Sequence, residues 1–278
     1  MSDTFLAMLE RGWQADTCVC VGLDPDYNRL PASVKDGLSV EDAVYTFNCA
    51  IVDATHDLVC AYKPNSAFYE ALGDAGERAL RKTVQYIKQS YPHVPVILDA
   101  KRADIGNTNH GYAVAAFDTI GADALTVHPY LGKEALAPFL ERTEKGIIVL
   151  VKTSNPGSGE LQNLPVGEMQ EPLYQVVARH VAEKWNTNGN CAIVVGATYP
   201  AELRQVRAIV GDMPILIPGI GAQGGEIAAT VQAGKDSRGW GMIISSSRSV
   251  LFASAEKDFA QAARHATQEL RAAINSYR

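Results

Sequence analysis

The sequence predicts a (β/α)8 barrel of the TIM type, and three observations lead there. Eight short apolar runs recur along the 278 residues, each followed by a turn and a segment of helical period. The runs are continuously apolar rather than alternating, as expected of parallel strands covered on both faces. No G-x-G-x-x-G follows the first run, which argues against an open doubly wound sheet. The length suits one barrel, which takes about 250 residues. No linker rich in Pro, Gly or Ser and no low-complexity tract interrupts the chain, so residues 1–278 are expected to form a single domain.

Residues 4–13 have an amphipathic pattern with Phe5, Met8, Leu9 and Trp13 near one face, predicting a short helix that closes the bottom or side of the fold. Strands are then expected at 17–23 (TCVCVGL), 58–62 (LVCAY), 94–98 (VPVIL), 123–127 (DALTV), 146–151 (GIIVLV), 191–196 (CAIVVG), 214–217 (PILI) and 241–245 (GMIIS). Helices are expected between and after them at 40–55, 74–90, 107–119, 133–141, 170–187, 200–210, 225–233 and 256–275. The non-periodic stretch 154–169, SNPGSGELQNLPVGEM, is long for a connection and reads as a lid.

An apolar fraction of 47% and a charged fraction of 20% are those of a soluble globular protein. The net charge of −6, without a face rich in Lys and Arg, argues against nucleic acid as a partner. It leaves room for a small phosphate ligand, which one Arg and a few amides can hold. The cysteines, Cys18, Cys20, Cys49, Cys60 and Cys191, are odd in number and contain no C-x-x-C pair. They read as small core residues in a reducing compartment. The first residues, MSDTFLAMLERGWQ, carry acids and no long apolar core, so neither a signal peptide nor a membrane anchor is expected, and the cytoplasm is the default.

The loops beyond the strands' carboxyl ends build the active site of such a barrel, so polar residues there are the ones to collect. They are Asp24; Lys63 and Asn65; Asp99, Lys101 and Asp104; His128; Lys152 and Ser154; Gly219, Gly221 and Gln223; and Ser247 with Arg248. The third set is the densest. In VILDAKRADIGNT (96–108) an apolar run meets three charges, and residues two apart on a strand share a face, so Asp99 and Lys101 should point together. A surface ion pair is the bland alternative. The last two corners indicate a ligand class. PGIGAQGGE (218–226) is a glycine-rich turn opening a helix, and SSSR (245–248) adds hydroxyls and a guanidinium. Turns after strands 7 and 8 of these barrels frequently bind phosphate. Glycines that merely permit tight turns would explain the first motif alone, but not its coincidence with Arg248 and the charge cluster. No His pair at helical spacing stands near a carboxylate, so no metal site is expected.

These segments resemble the orotidine 5'-phosphate decarboxylase family, and within it a longer bacterial branch. The likeness runs through VGLDP (21–25), AYKPNSAFYE (61–70), LDAKRADIGNT (98–108), TVHPYLG (126–132), KTSNPGSGELQ (152–162), PGIGAQGG (218–225) and SSSR (245–248), nearly the whole chain. The D-x-K-x-x-D element is shared with related sugar-phosphate decarboxylases; SNPGSGE and the full set of corners favour the orotidine member. The resemblance implies a homodimer with shared sites and a cofactor-free decarboxylation of orotidine 5'-phosphate to uridine 5'-phosphate. It implies that Asp24 and Lys63 hold ribose hydroxyls, that Asp99, Lys101, Asp104 and Lys63 form the catalytic charges, and that Lys101 protonates ring carbon 6. Asp104 would enter the partner's site with Ile105 and Thr108 beside it. Ser154 would contact the pyrimidine, Pro218 would line its apolar side, and Gly219, Gln223, Ser247 and Arg248 would bind phosphate. The position before Arg248 is commonly Gly in shorter relatives and is Ser247 here, a change that backbone donation survives.

Two rivals remain. Lys152 or Lys63 could form a Schiff base in an aldolase on the same barrel, which leaves the Asp99–Asp104 charges unexplained. A phosphate-ligand sensor would bind the nucleotide and leave it unchanged. His128 could act as an acid or base, but a His before Pro at a strand end is as often a structural hydrogen-bonding residue, so it stays outside the catalytic set. Trp13, Trp185 and Trp240 read as packing residues.

Overall fold

The computed structural model describes residues 3–220 and 224–278. Where the chain is continuously apolar it forms the wall of a barrel: β1 (Val19–Gly22), β2 (Ala61–Lys63), β3 (Ile97–Arg102), β4 (Ala124–Val127), β5 (Gly146–Lys152), β6 (Cys191–Val195), β7 (Ile215–Pro218) and β8 (Met242–Ser246). All residues of β1, β2, β4, β6 and β8 are buried. The strands run parallel in the order β2-β1-β8-β7-β6-β5-β4-β3. Two isolated bridges, Tyr62 to Val96 and Asn65 to Asp99, join β2 to β3 and close the circle. The expected (β/α)8 barrel is the observed one.

The helices follow their periodic segments: α1 (Phe5–Gln14), α2 (Val40–Thr55), α3 (Gly73–Ser90), α4 (Gly106–Ala113), α5 (Gly132–Leu140), α6 (Leu173–His180), α7 (Pro200–Val210), α8 (Gly224–Gly234) and α9 (Phe259–Asn275). Thr4 starts α1 by accepting from the Ala7 amide, and Phe5, Met8, Leu9 and Trp13 are buried along one stripe. Trp13 Nε1 donates to the Met242 carbonyl at 2.9 Å, and the Phe5 amide to Glu144 at 3.0 Å. Both acceptors lie at or just before the amino ends of strands, so α1 plugs the bottom and leaves the mouth to the loops. Cys18, Cys20, Cys60 and Cys191 are buried free thiols, and burial pushes Cys18, Cys20 and Cys191 up to about 12. They are inert core groups, as expected, whereas Cys49, expected with them, is only half-buried on α2.

Three boundaries differ instructively. β2 begins at Ala61, because Leu58 and Val59 are buried below the barrel without joining its ladder. β3, expected at 94–98, runs instead through the charged residues to Arg102. Its neighbour holds it in the sheet through an irregularity: the Lys101 amide donates to Thr126 Oγ1 at 2.9 Å, and Arg102 pairs with Val127 after a register shift. Asp99 and Lys101 therefore stand in the strand, and only Asp104 lies beyond it. The stretch after β5 is more ordered than its irregular sequence suggests. It forms a 3-10 turn at Pro156–Ser158, a helical turn at Gly159–Gln162 and a two-residue hairpin pairing Pro165–Val166 with Glu171–Pro172.

Candidate active site

Asp99 is the centre of the mouth. Its Oδ2 accepts from Lys63 Nζ at 3.0 Å and Asn65 Nδ2 at 3.2 Å, and its Oδ1 from Lys101 Nζ at 2.7 Å and Thr126 Oγ1 at 2.9 Å. Burial raises the cost of its charge, but the two ammoniums outweigh burial and hold the carboxyl well below the usual range. For Lys63 burial alone favours the neutral form; Asp99 and then Asp24 reverse that and raise its pKa above the ordinary value. The two lysines differ in access: the Lys63 side chain is 6% exposed and that of Lys101 48%. Lys63 is thus a fixed charge behind Asp99, and Lys101 faces the opening. Lys101 also holds a left-handed backbone, φ 47°, a conformation that costs a non-glycine residue about 1–3 kcal/mol and persists where neighbours impose it.

Asp24 joins this array through the backbone, its Oδ1 accepting from the Asn65 amide at 3.0 Å. Asp104 does not join it. Its carboxylate turns back to accept from the Ile105 amide at 2.7 Å, and Asn109 clamps the same turn, accepting from the Asp104 amide and donating to the carbonyls of Asp104 and Ala135. Ile105, 62% exposed, and Thr108 project from the rim next to it.

Across the mouth, Ser154, Pro218 and Gly219 come together: a Cβ on Gly219 would lie 3.7 Å from Ser154 Cβ. Ser247 caps a short helix that begins at Arg248, whose side chain is exposed. Ser247 sits directly on β1, where a Cβ on Gly22 would come within 1.9 Å of its Oγ. Only glycine at the end of β1 permits that approach, so Gly22→Ala is expected to displace Ser247 from the strand. Gln223 and Gly221 lie outside the described residues. Ser245 and Ser246, read from the sequence as further hydroxyls for a ligand, are buried in β8, and Ser246 Oγ is engaged 2.6 Å from Ser249 Oγ.

His128 Nε2 lies 3.2 Å from the Ala103 carbonyl, a contact that steadies the turn after β3. Lys152 points away from Asp99, under the loop that follows β5. Among the described residues no three His, Cys, Asp or Glu side chains converge as a metal site would require. The reading of the sequence collected Asn65 without foreseeing its bond to Asp99, and missed Thr126 and Asn109. The only signal for Thr126 was a hydroxyl inside an apolar strand.

A family model described as orotidine 5'-phosphate decarboxylase / HUMPS family matches residues 17–264. The chain belongs to this family. A Janthinobacterium sp. (strain Marseille) protein named orotidine 5'-phosphate decarboxylase is 54% identical over 275 residues, covering 99% of each chain. A Cellvibrio japonicus (strain Ueda107) protein of the same name is 50% identical over 273 residues, covering 98% of each. The solved structure of Leishmania donovani OMP decarboxylase superposes with a TM-score of 0.83 at 36% identity, covering 98% of each chain. No helix among the described residues of this family member is long and apolar enough to cross a membrane.

Proposed function

We propose that the protein decarboxylates orotidine 5'-phosphate to uridine 5'-phosphate, as the names of its relatives state for them. The observation that carries the reading is the Lys63–Asp99–Lys101 array, with one ammonium buried and one facing the mouth. Carbon dioxide leaves ring carbon 6 and the bond's electron pair stays on that carbon. Lys101 stands as the cation beside the developing charge and gives it a proton, which water later restores. Asp99 fixes Lys101 and places negative charge near the departing carboxylate, opposing bound substrate more than the transition state. Asp24 and Lys63 hold the ribose; Ser154 and Pro218 hold the pyrimidine. Gly219, Gln223, Ser247 and Arg248 hold the phosphate beside the amino end of α8. Remote phosphate binding then contributes to turnover as well as affinity.

The resting turn of Asp104 and the exposure of Ile105 support a homodimer in which Asp104, Ile105 and Thr108 complete the partner's site. Mixing inactive Lys101→Ala and Asp104→Ala chains is expected to restore activity, because mixed dimers carry one intact site. Persistent inactivity after subunit exchange would remove the shared site. The enzyme is placed in the cytoplasm, where this soluble substrate would be met. A Schiff-base aldolase is disfavoured because Lys152 is covered by its loop and Lys63 is paired to Asp99.

The test is the ultraviolet change of orotidine 5'-phosphate with purified protein in excess chelator. Loss of the orotate chromophore with appearance of uridine 5'-phosphate is expected. An unchanged spectrum, with turnover of a phosphorylated keto-sugar acid in magnesium, would reassign the array to a sister decarboxylation.

A further inference from the structure

Lys152 ends β5 with 1% of its surface exposed. A buried ammonium is costly unless polar groups replace its water. Here the replacements come from the loops above it: Ser158 Oγ and Asn163 Oδ1 each accept at 2.9 Å, and the Tyr199 ring centroid lies 4.6 Å away. Among the described residues no carboxylate pairs with it. Its charge is therefore accommodated only when the chain after β5 folds back over it.

The surrounding contacts tie that fold-back to one spot. The Thr153 amide donates to Gln162 Oε1 at 2.9 Å, Gln162 Nε2 returns a bond to Thr153 Oγ1 at 2.8 Å, and Thr153 Oγ1 donates to Asn155 Oδ1 at 2.6 Å. Ser154 leaves this knot pressed onto Gly196, where a Cβ would stand 2.7 Å from Ser154 Cβ and 2.9 Å from its amide nitrogen. The loop is thus pinned from below by a cation and stopped from the side by bare backbone.

We propose that Lys152 is a positioning residue: its buried ammonium pins the 153–163 loop and so sets Ser154 at the mouth. It touches no reacting atom. The pin stands on the geometry alone; its effect on turnover rests on the proposed function, in which Ser154 meets the pyrimidine.

The test compares Lys152→Met, Ser154→Ala and the double variant by orotidine 5'-phosphate kinetics, limited proteolysis and denaturant unfolding. Lys152→Met is expected to lower kcat/KM about tenfold to a hundredfold, the loss of a charged hydrogen-bonding group. Cleavage within 158–169 should accelerate severalfold while the unfolding midpoint of the barrel moves little. The double variant should lose no more than Lys152→Met alone, because a displaced Ser154 has nothing left to lose. Asn163→Ala, which removes an acceptor from the exposed side of the loop, should reproduce the cleavage even if Lys152→Met folds poorly. Wild-type cleavage rates in both Lys152→Met and Asn163→Ala would overturn the pin. Losses that multiply in the double variant would overturn its action through Ser154. A wild-type protein inert toward orotidine 5'-phosphate would instead sink the functional reading, with the proteolysis still deciding the pin.

Discussion

Lys101→Ala will lower turnover by at least about 10⁴-fold while leaving the barrel folded. Proton transfer by a placed acid contributes on the order of 10²–10⁴ in rate and one placed electrostatic donor about 10²–10³, and Lys101 supplies both in this mechanism. The fold should survive because the side chain is half-exposed and Asp99 keeps Lys63, Asn65 and Thr126. Alanine is the right probe: it meets the same left-handed backbone penalty as lysine, whereas glycine would relax the φ of 47° and mix two effects. Single-turnover assays with circular dichroism check the result. Activity within tenfold of wild type, in a folded variant, would remove Lys101 as proton donor.

Asp99→Ala will damage stability as well as rate. It leaves Lys63 buried without its counter-charge, and breaking one side of a buried pair costs about 3–5 kcal/mol. The same carboxylate predicts a pH dependence. Its folded pKa is depressed, so its contribution to stability is present above the unfolded carboxylate value of about 4 and is lost as pH falls from there toward the folded value. Lys63 acts at the opposite end: its raised pKa gives stability that fades as pH climbs through the folded value. Denaturant unfolding of wild type and Asp99→Asn between pH 7 and pH 2 should show the gap between them narrowing below about pH 4. A gap constant across that range would mean that Asp99 does not carry the acid response.

The barrel was legible because both of its signals are local. Continuous apolarity marks strands covered on two faces, and a 3.6-residue period marks the helices that cover them. What sequence could not show were features decided by a neighbour. β3 carries its charged residues within the sheet because Thr126, on another strand, accepts from the Lys101 amide. The strand-end rule found Asp99, Lys101 and Lys63, since each follows or ends an apolar run. Thr126 and Asn109 carry no such mark, because a hydroxyl or an amide is named as a partner only once the chain has brought it there. The serine run before Arg248 misled for the same reason: both faces of β8 are covered, which buries two of the three.

The closure of the barrel has one more consequence. Elsewhere around the circle the strands pair in ladders of consecutive residues, with register shifts in β3–β4 and β5–β6, but β2 meets β3 only through two isolated bridges, with the Tyr62 amide bonded to Pro95 and the Asp99 amide to Pro64. A ring parts where it is stitched most thinly. The amides of Tyr62 and Asp99 should therefore exchange with solvent deuterium sooner than those of β5 and β6. An opening at that seam separates Lys63 from Asp99 while most of the barrel is still hydrogen-bonded, so on gradual warming catalytic competence should be forfeited before helical ellipticity begins to fall.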